Sequence, residues 1–242
     1  MNQGVTFYRF ATDLLLHEFS PGRQSIELPL PVVLVLHGCR CPASFEYWRG
    51  RDVDFIARAC GASKGVTSLH FERTYPTRLG GVPPHLDLVF HNPPFRPLAV
   101  EAKFTEPYRR KTKRRIKDRY LDSSLWKGLA GCESLVRLIR KEEKGATSFS
   151  FLDVPQLLKH ILGLTTRFGK RGFELLYLWY DFAPSLEAER HRREIGVFER
   201  YVSSEVSFRE MTYQELFKSI RDNPEADPQY IGYLADRYFY DV

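Results

Sequence analysis

Two short apolar runs, residues 85 to 90 (His-Leu-Asp-Leu-Val-Phe) and 98 to 104 (Leu-Ala-Val-Glu-Ala-Lys-Phe), flank a turn through Asn92, Pro93 and Pro94, and each carries charge in its interior. Turn residues between two strand-like runs predict that the chain folds back on itself as an antiparallel hairpin. Side chains along a strand point alternately to the two faces of the sheet. Leu86, Leu88 and Phe90 are therefore expected on one face with Asp87 on the other, and Leu98, Val100, Ala102 and Phe104 opposite Glu101 and Lys103. A hairpin about Pro94 pairs positions whose numbers add to 188, which sets Asp87 directly across from Glu101. Two acids and a lysine then share one small patch. Two carboxylates that close repel, and the arrangement is stable only with a cation between them or with one acid protonated. A hard cation such as Mg²⁺ suits such a site, because it takes one or two carboxylates and completes its shell with water and phosphate oxygens. In this reading Asp87 and Glu101 hold the ion with the main-chain carbonyl of Ala102. Lys103 orients or helps deprotonate the attacking water and stabilises developing charge. The bland alternative is a surface salt bridge on an edge hairpin, which contributes on the order of 0 to 1 kcal/mol.

The rest of the chain supplies the scaffold. Of 242 residues, 43% are hydrophobic and 27% charged, a balance that allows a sizeable buried core and argues against a disordered chain. The β-branched run from Val32 to Leu36 reads as a buried strand. Phe45, Trp48, Phe55, Ile56 and Ala59 recur at helical spacing, with Ser44 as N-cap, Gly50 as a weak point and Gly61 past the end. Strands are expected at 66 to 73 and 173 to 179, a helix from Ser124 to Lys144, and another capped by Asp153 with Pro155 in its first turn. Helices at 185 to 202 and 213 to 220 close the chain. The order predicts an α/β fold with a mixed central sheet flanked by helices. We expect one domain over 1–242, with a core at about 40–182 and a helical C-terminal extension at 183–242. No run reaches the roughly 18 apolar residues a membrane helix needs, and no signal-peptide pattern opens the chain, so a cytoplasmic protein without membrane contact is expected.

Charge is distributed unevenly. The net charge is +6, yet Arg109, Arg110, Lys111, Lys113, Arg114, Arg115, Lys117 and Arg119 stand against the single acid Asp118, giving this segment +7 and the remainder −1. A basic stripe of that kind is the footprint expected for a polyanion such as DNA, and a solvated basic loop is its plain alternative. Cys39, Cys41, Cys60 and Cys132 are too few and scattered for a disulfide framework, and His37, Cys39 and Cys41 lack a second pair at zinc-site spacing, so reduced spectator thiols are expected. Gly61-Ala-Ser63-Lys-Gly65 matches the Gly-x-Ser-x-Gly elbow of serine esterases literally. That elbow needs a strand before the serine and a helix after it, and here the predicted order is reversed.

Asp87 followed by Glu101-Ala102-Lys103, within PPHLDLVF and LAVEAKF, resembles the signature of the restriction-endonuclease-like PD-(D/E)xK nucleases, an acid on one strand and acid-x-Lys on the next. Leu86 stands where the named pattern has proline. The resemblance covers residues 40 to 182 and implies a restriction-endonuclease-like core, phosphodiester hydrolysis with Mg²⁺ or Mn²⁺, and a nucleic-acid substrate, most often DNA, with RNA left open. Gln156-Leu-Leu-Lys-His160 resembles the Gln-x-x-x-Tyr element of the RecB-like branch, with histidine in place of tyrosine, and adds Gln156 to the catalytic candidates. Glu46, in the first helix, is the candidate for the extra acid many relatives supply, with Asp52 and Asp54 as competitors. A homodimer that cuts both strands fits the same resemblance. A non-catalytic nucleic-acid-binding module on the same fold is the rival reading, and the intact acid, acid and lysine set argues against it.

Overall fold

The computed structural model describes residues 45, 47–48, 50–79, 81, 83–91, 93–104, 108, 116–142 and 149–239, all within the compact unit Leu34–Val242. The strand predicted at Val32 to Leu36 and the cap Ser44 lie outside the described residues.

Five strands form one sheet in the order β1-β2-β3-β4-β5: β1 (Ser68–Thr74), β2 (His85–His91), β3 (Leu98–Lys103), β4 (Glu174–Trp179) and β5 (Ser207–Thr212). The first three are antiparallel neighbours, and β3, β4 and β5 run parallel. Parallel neighbours need crossover connections, and helices provide them: α2 (Ala130–Glu142) and α3 (Val154–Phe168) between β3 and β4, and α4 (Leu186–Val202) between β4 and β5. All three helices pack on one face of the sheet, where Leu135, Val136, Leu157, Ile161, Ile195 and Phe198 meet Val89, Ala99, Leu175 and Tyr177. On the other face, α1 (Val53–Ala59), α5 (Tyr213–Arg221) and α6 (Pro228–Tyr238) cover Leu88, Phe90, Val100, Leu176 and Leu178. Both crossovers lie on the same face of the sheet, which leaves the other to α1, α5 and α6. The result is the expected α/β fold, a mixed sheet between helical layers. Strands covered on both faces need apolar residues at every position, and Leu175 to Trp179 is buried throughout. Among the described residues, no helix is long and apolar enough to cross a membrane.

Four expectations are corrected. The predicted helix over 45 to 59 is interrupted at Gly50, whose φ of +76° leaves the helical region, and α1 starts afresh under Asp52, whose side chain accepts from the amides of Asp54 and Phe55. The helix expected from Ser124 breaks similarly. A short 3₁₀ turn, Ser123–Trp126, ends before Gly128 at φ +74°, and α2 begins at Ala130, where the carboxylate of Glu205 accepts from the amides of Gly131 and Cys132. The stretch past residue 182 is not helical throughout, because Ser207–Thr212 adds the edge strand β5. Its charges hid it: Arg209 donates to the carbonyl of Cys60, and Glu210 accepts from the Trp179 indole at 2.5 Å, so polar side chains occupy positions where apolar alternation was sought. Finally, Leu86 joins the core layer of Val89 rather than that of Leu88 and Phe90. The β1–β2 ladder pairs Phe71 with Leu88 and Arg73 with Leu86, and between them sits Glu72 at φ +51°, a conformation that disturbs regular pleating beside Asp87.

Candidate active site

The β2–β3 hairpin has the register that its sequence implies: Leu88 pairs with Val100, Val89 with Ala99 and Phe90 with Leu98. One rung further along the same diagonal stand Asp87 and Glu101, and Asp87 Oδ2 accepts a hydrogen bond from the Ala102 amide across the strands at 2.7 Å. Both acids are almost wholly enclosed, Asp87 7% and Glu101 1% exposed. Lys103, next but one along β3, forms an ion pair with Glu101 Oε1. From the helical layer, His160 on α3 brings its Nε2 to 2.9 Å from Glu101 Oε2. Both approaches are close but oblique. The two Glu101 oxygens and His160 Nε2 are buried without an aligned hydrogen-bond partner, and the neighbouring His160 and Lys103 groups are what favour the Glu101 anion there.

The two carboxylates are driven apart electrostatically. Burial, followed by the charge of Glu101, pushes the Asp87 carboxyl up to about 8, against the opposing pull of Lys103 and the Ala102 amide. Burial also pushes Glu101 upward, but the His160 and Lys103 contacts together outweigh it and hold its carboxyl below the ordinary range. Glu101 is thus the resident anion and Asp87 the acid that keeps its proton until a counter-charge arrives.

The family to which the chain belongs follows from comparison with known proteins. A family model described as "Restriction Endonuclease associating with ARP" (REase-ARP) matches residues 45–239. The chain belongs to the REase-ARP family. No curated protein and no solved structure matches it. Membership sets the chain in a restriction-endonuclease-like family, in keeping with its fold, and makes nuclease-type function its general class. The matched region runs through β5, α5 and α6, so in this REase-ARP chain the segment beyond residue 182 belongs to the family's own pattern.

Other candidates are placed as follows. Gln156 is half-buried in the first turn of α3, its amide capped by Asp153 at 3.1 Å, and it is His160, one turn later, that touches the acids. Glu46 lies outside the described residues. Its competitors have structural duties: Asp52 caps α1, and Asp54 accepts from the amides of Gly65 and Val66 and pairs with Arg58. Arg109, Arg110, Lys111, Lys113, Arg114 and Arg115 also lie outside the described residues. Lys117 and Arg119 are exposed, and the Arg119 guanidinium donates to the carbonyl of Leu79. His37, Cys39 and Cys41 lie outside as well, whereas Cys60 and Cys132 are buried free thiols, the former pushed up to about 12 by burial. Ser63 follows α1 and precedes β1, the reverse of an esterase elbow.

Two participants escaped the sequence reading. His160 was visible only as a departure from a tyrosine pattern. Glu72 sits on the strand beside Asp87 in a strained left-handed conformation, and its charge contributes to raising Asp87. A polar residue inside β1 could have drawn attention to it, but nothing in its local spacing ties it to residue 87.

Among the described residues, no group of three or more His, Cys, Asp and Glu side chains is disposed to hold a metal ion. The available donor set is two carboxylates and main-chain oxygen, which fits a small hard cation that keeps most of its waters and fits zinc poorly. The buried, unaligned oxygens of Glu101 and the proton-retaining carboxyl of Asp87 fit the same cation.

Proposed function

We propose that this chain is a Mg²⁺- or Mn²⁺-dependent endonuclease acting on DNA in the cytoplasm. The observation that carries the reading is the enclosure of Asp87, Glu101 and Lys103 in one cluster at the end of the β2–β3 hairpin. A purely structural cluster is the weaker account. Buried charge costs several kcal/mol per ion unless fully compensated, and apolar residues of similar volume would stabilise a central strand as well or better. A divalent ion held by Asp87, Glu101 and the Ala102 carbonyl would polarise the phosphodiester and lower the pKa of a bound water. Lys103 supplies a fixed positive charge beside the attacked phosphate, and its ion pair with Glu101 keeps the ammonium aimed into the site. The Gln156-x-x-x-His160 helix supports a RecB-like variant of this arrangement. The non-catalytic rival would retain the basic segment but would have no use for two enclosed acids.

Incubation of circular and linear DNA with Mg²⁺, Mn²⁺ or EDTA tests the reading. We expect circular DNA to be opened with either metal and to stay intact in EDTA. Cleavage that is indifferent to EDTA, or no cleavage with any divalent ion, would remove the assignment.

The basic segment makes a separate prediction. Neutralising Arg110, Lys111, Arg114 and Arg115 should weaken binding to all DNA sequences about equally, because phosphate contacts position a duplex without reading it. It should also flatten the salt dependence by about 0.9 in log–log slope for each phosphate that the variant no longer neutralises. Binding measured in Ca²⁺, which suppresses turnover, gives the slope directly, and an unchanged slope would move the DNA path elsewhere.

A further inference from the structure

His160 is not required to bury a helix face, since Leu157, Leu158, Ile161 and Leu164 already do that, yet it is 3% exposed and directed at an acid. The helix that carries it is anchored with unusual firmness. Glu194 on α4 accepts from three successive amides just before α3, those of Ser150, Phe151 and Leu152, at 2.6, 2.8 and 2.8 Å. Asp153 then caps the helix. One turn beyond His160, α3 passes so near the chain after β1 that a Cβ on Gly163 would lie 2.4 Å from the Tyr75 carbonyl oxygen. His160 therefore cannot follow Glu101 if that carboxylate swings. Lys103, with its four-carbon stem, can.

We propose that His160 is a positioning residue whose Nε2, fixed by the clamped helix α3, holds Glu101 Oε2 so that the carboxylate's remaining lone pairs face Asp87 and the cation between them. The inference rests on the metal-site reading above. The oblique 2.9 Å approach agrees with it, since contacts of this kind commonly align only once the ligand is in place. The rival role is that His160 merely accompanies a buried acid and contributes to folding alone.

The test compares H160N with H160Q in the full chain, reading Mn²⁺ affinity without DNA by the EPR signal of free Mn²⁺, and unfolding in EDTA. Both substitutes are neutral amides. Glutamine can place its NH₂ where Nε2 stands, and asparagine falls one methylene short. Loss of a group that orients a metal ligand typically weakens affinity 10- to 100-fold, so we expect H160N to raise the Mn²⁺ Kd by at least about tenfold and H160Q to restore it to within about threefold of wild type. A purely structural role would lower the unfolding midpoint while leaving the two Kd values alike, and that outcome, or an H160Q as weak as H160N, would overturn the proposal. If the wild-type chain itself takes up no Mn²⁺, the cation reading falls and the role of His160 with it. Wild-type binding beside an unchanged H160N would remove His160 alone.

Discussion

Glu101→Gln is expected to lower DNA cleavage by on the order of 10³-fold or more while leaving the fold intact, because a charged metal ligand contributes several kcal/mol to stabilising the transition state and each 1.4 kcal/mol is a factor of ten in rate. The substitution preserves shape in a site where the side chain is 1% exposed, so no cavity opens. It also removes the like charge that helps to raise Asp87 and leaves Lys103 without its ion-pair partner on Glu101. Asp87 should then ionise at lower pH and pair with Lys103 in its place, which keeps the cluster's charge balanced and the protein folded. Steady-state cleavage of plasmid DNA, with circular dichroism and urea unfolding as controls, makes the comparison. Wild-type cleavage by this variant would show that the chemistry lies elsewhere.

The second large effect concerns stability and has a defined sign. The carboxyl of Asp87 titrates at about 8 in the folded chain, and an unfolded aspartate titrates near 4. A folded value raised in this way means that the native state retains a proton the unfolded state has released. Stability is therefore full below about pH 4 and declines as pH rises toward 8. Asparagine has nothing to ionise. In EDTA, Asp87→Asn should match wild type near pH 4 and exceed it by on the order of 2 kcal/mol at pH 8.5. Saturating Mg²⁺ should narrow the gap by stabilising ionised Asp87 in the wild type alone. The same variant should not cleave, so one change would raise the stability of the metal-free fold and abolish activity, as expected where a site holds unfavourable charge for function. Urea midpoints at the two pH values decide it: a gap that does not widen with pH would mean that Asp87 is already ionised in the folded protein.

The site's core was legible in the sequence because its geometry is local. Asp87 and Glu101 lie on neighbouring strands joined by a short turn, so period-2 alternation and one hairpin register suffice to bring them together, and the amide of Ala102 follows from the same ladder. The cap of α3 was equally local, since Asp153 accepts from the amide three residues ahead. Glycine misled the reading in a physically clear way. Gly50 was expected only to weaken its helix and Gly128 fell inside the helix expected from Ser124, but each adopts a positive φ that a helix excludes, and both predicted helices shortened accordingly.

By itself, the sequence determined the strand and helix periods, the α/β class, the β2–β3 register and the pairing of the two acids, all of which depend on interactions over a few residues. Tertiary structure alone decided the rest. β5 is a strand because β4 offers it a parallel edge and Trp179 offers Glu210 a donor, not because its own residues alternate. Glu72 meets Asp87 only through the β1–β2 pairing, and Leu86 changes layers beside it. His160 reaches Glu101 across 59 positions of chain because a crossover lays α3 on that face of the sheet and Glu194 holds its entry in place. Contacts at that separation are set by how layers pack, a property of the whole core that no local run of residues encodes.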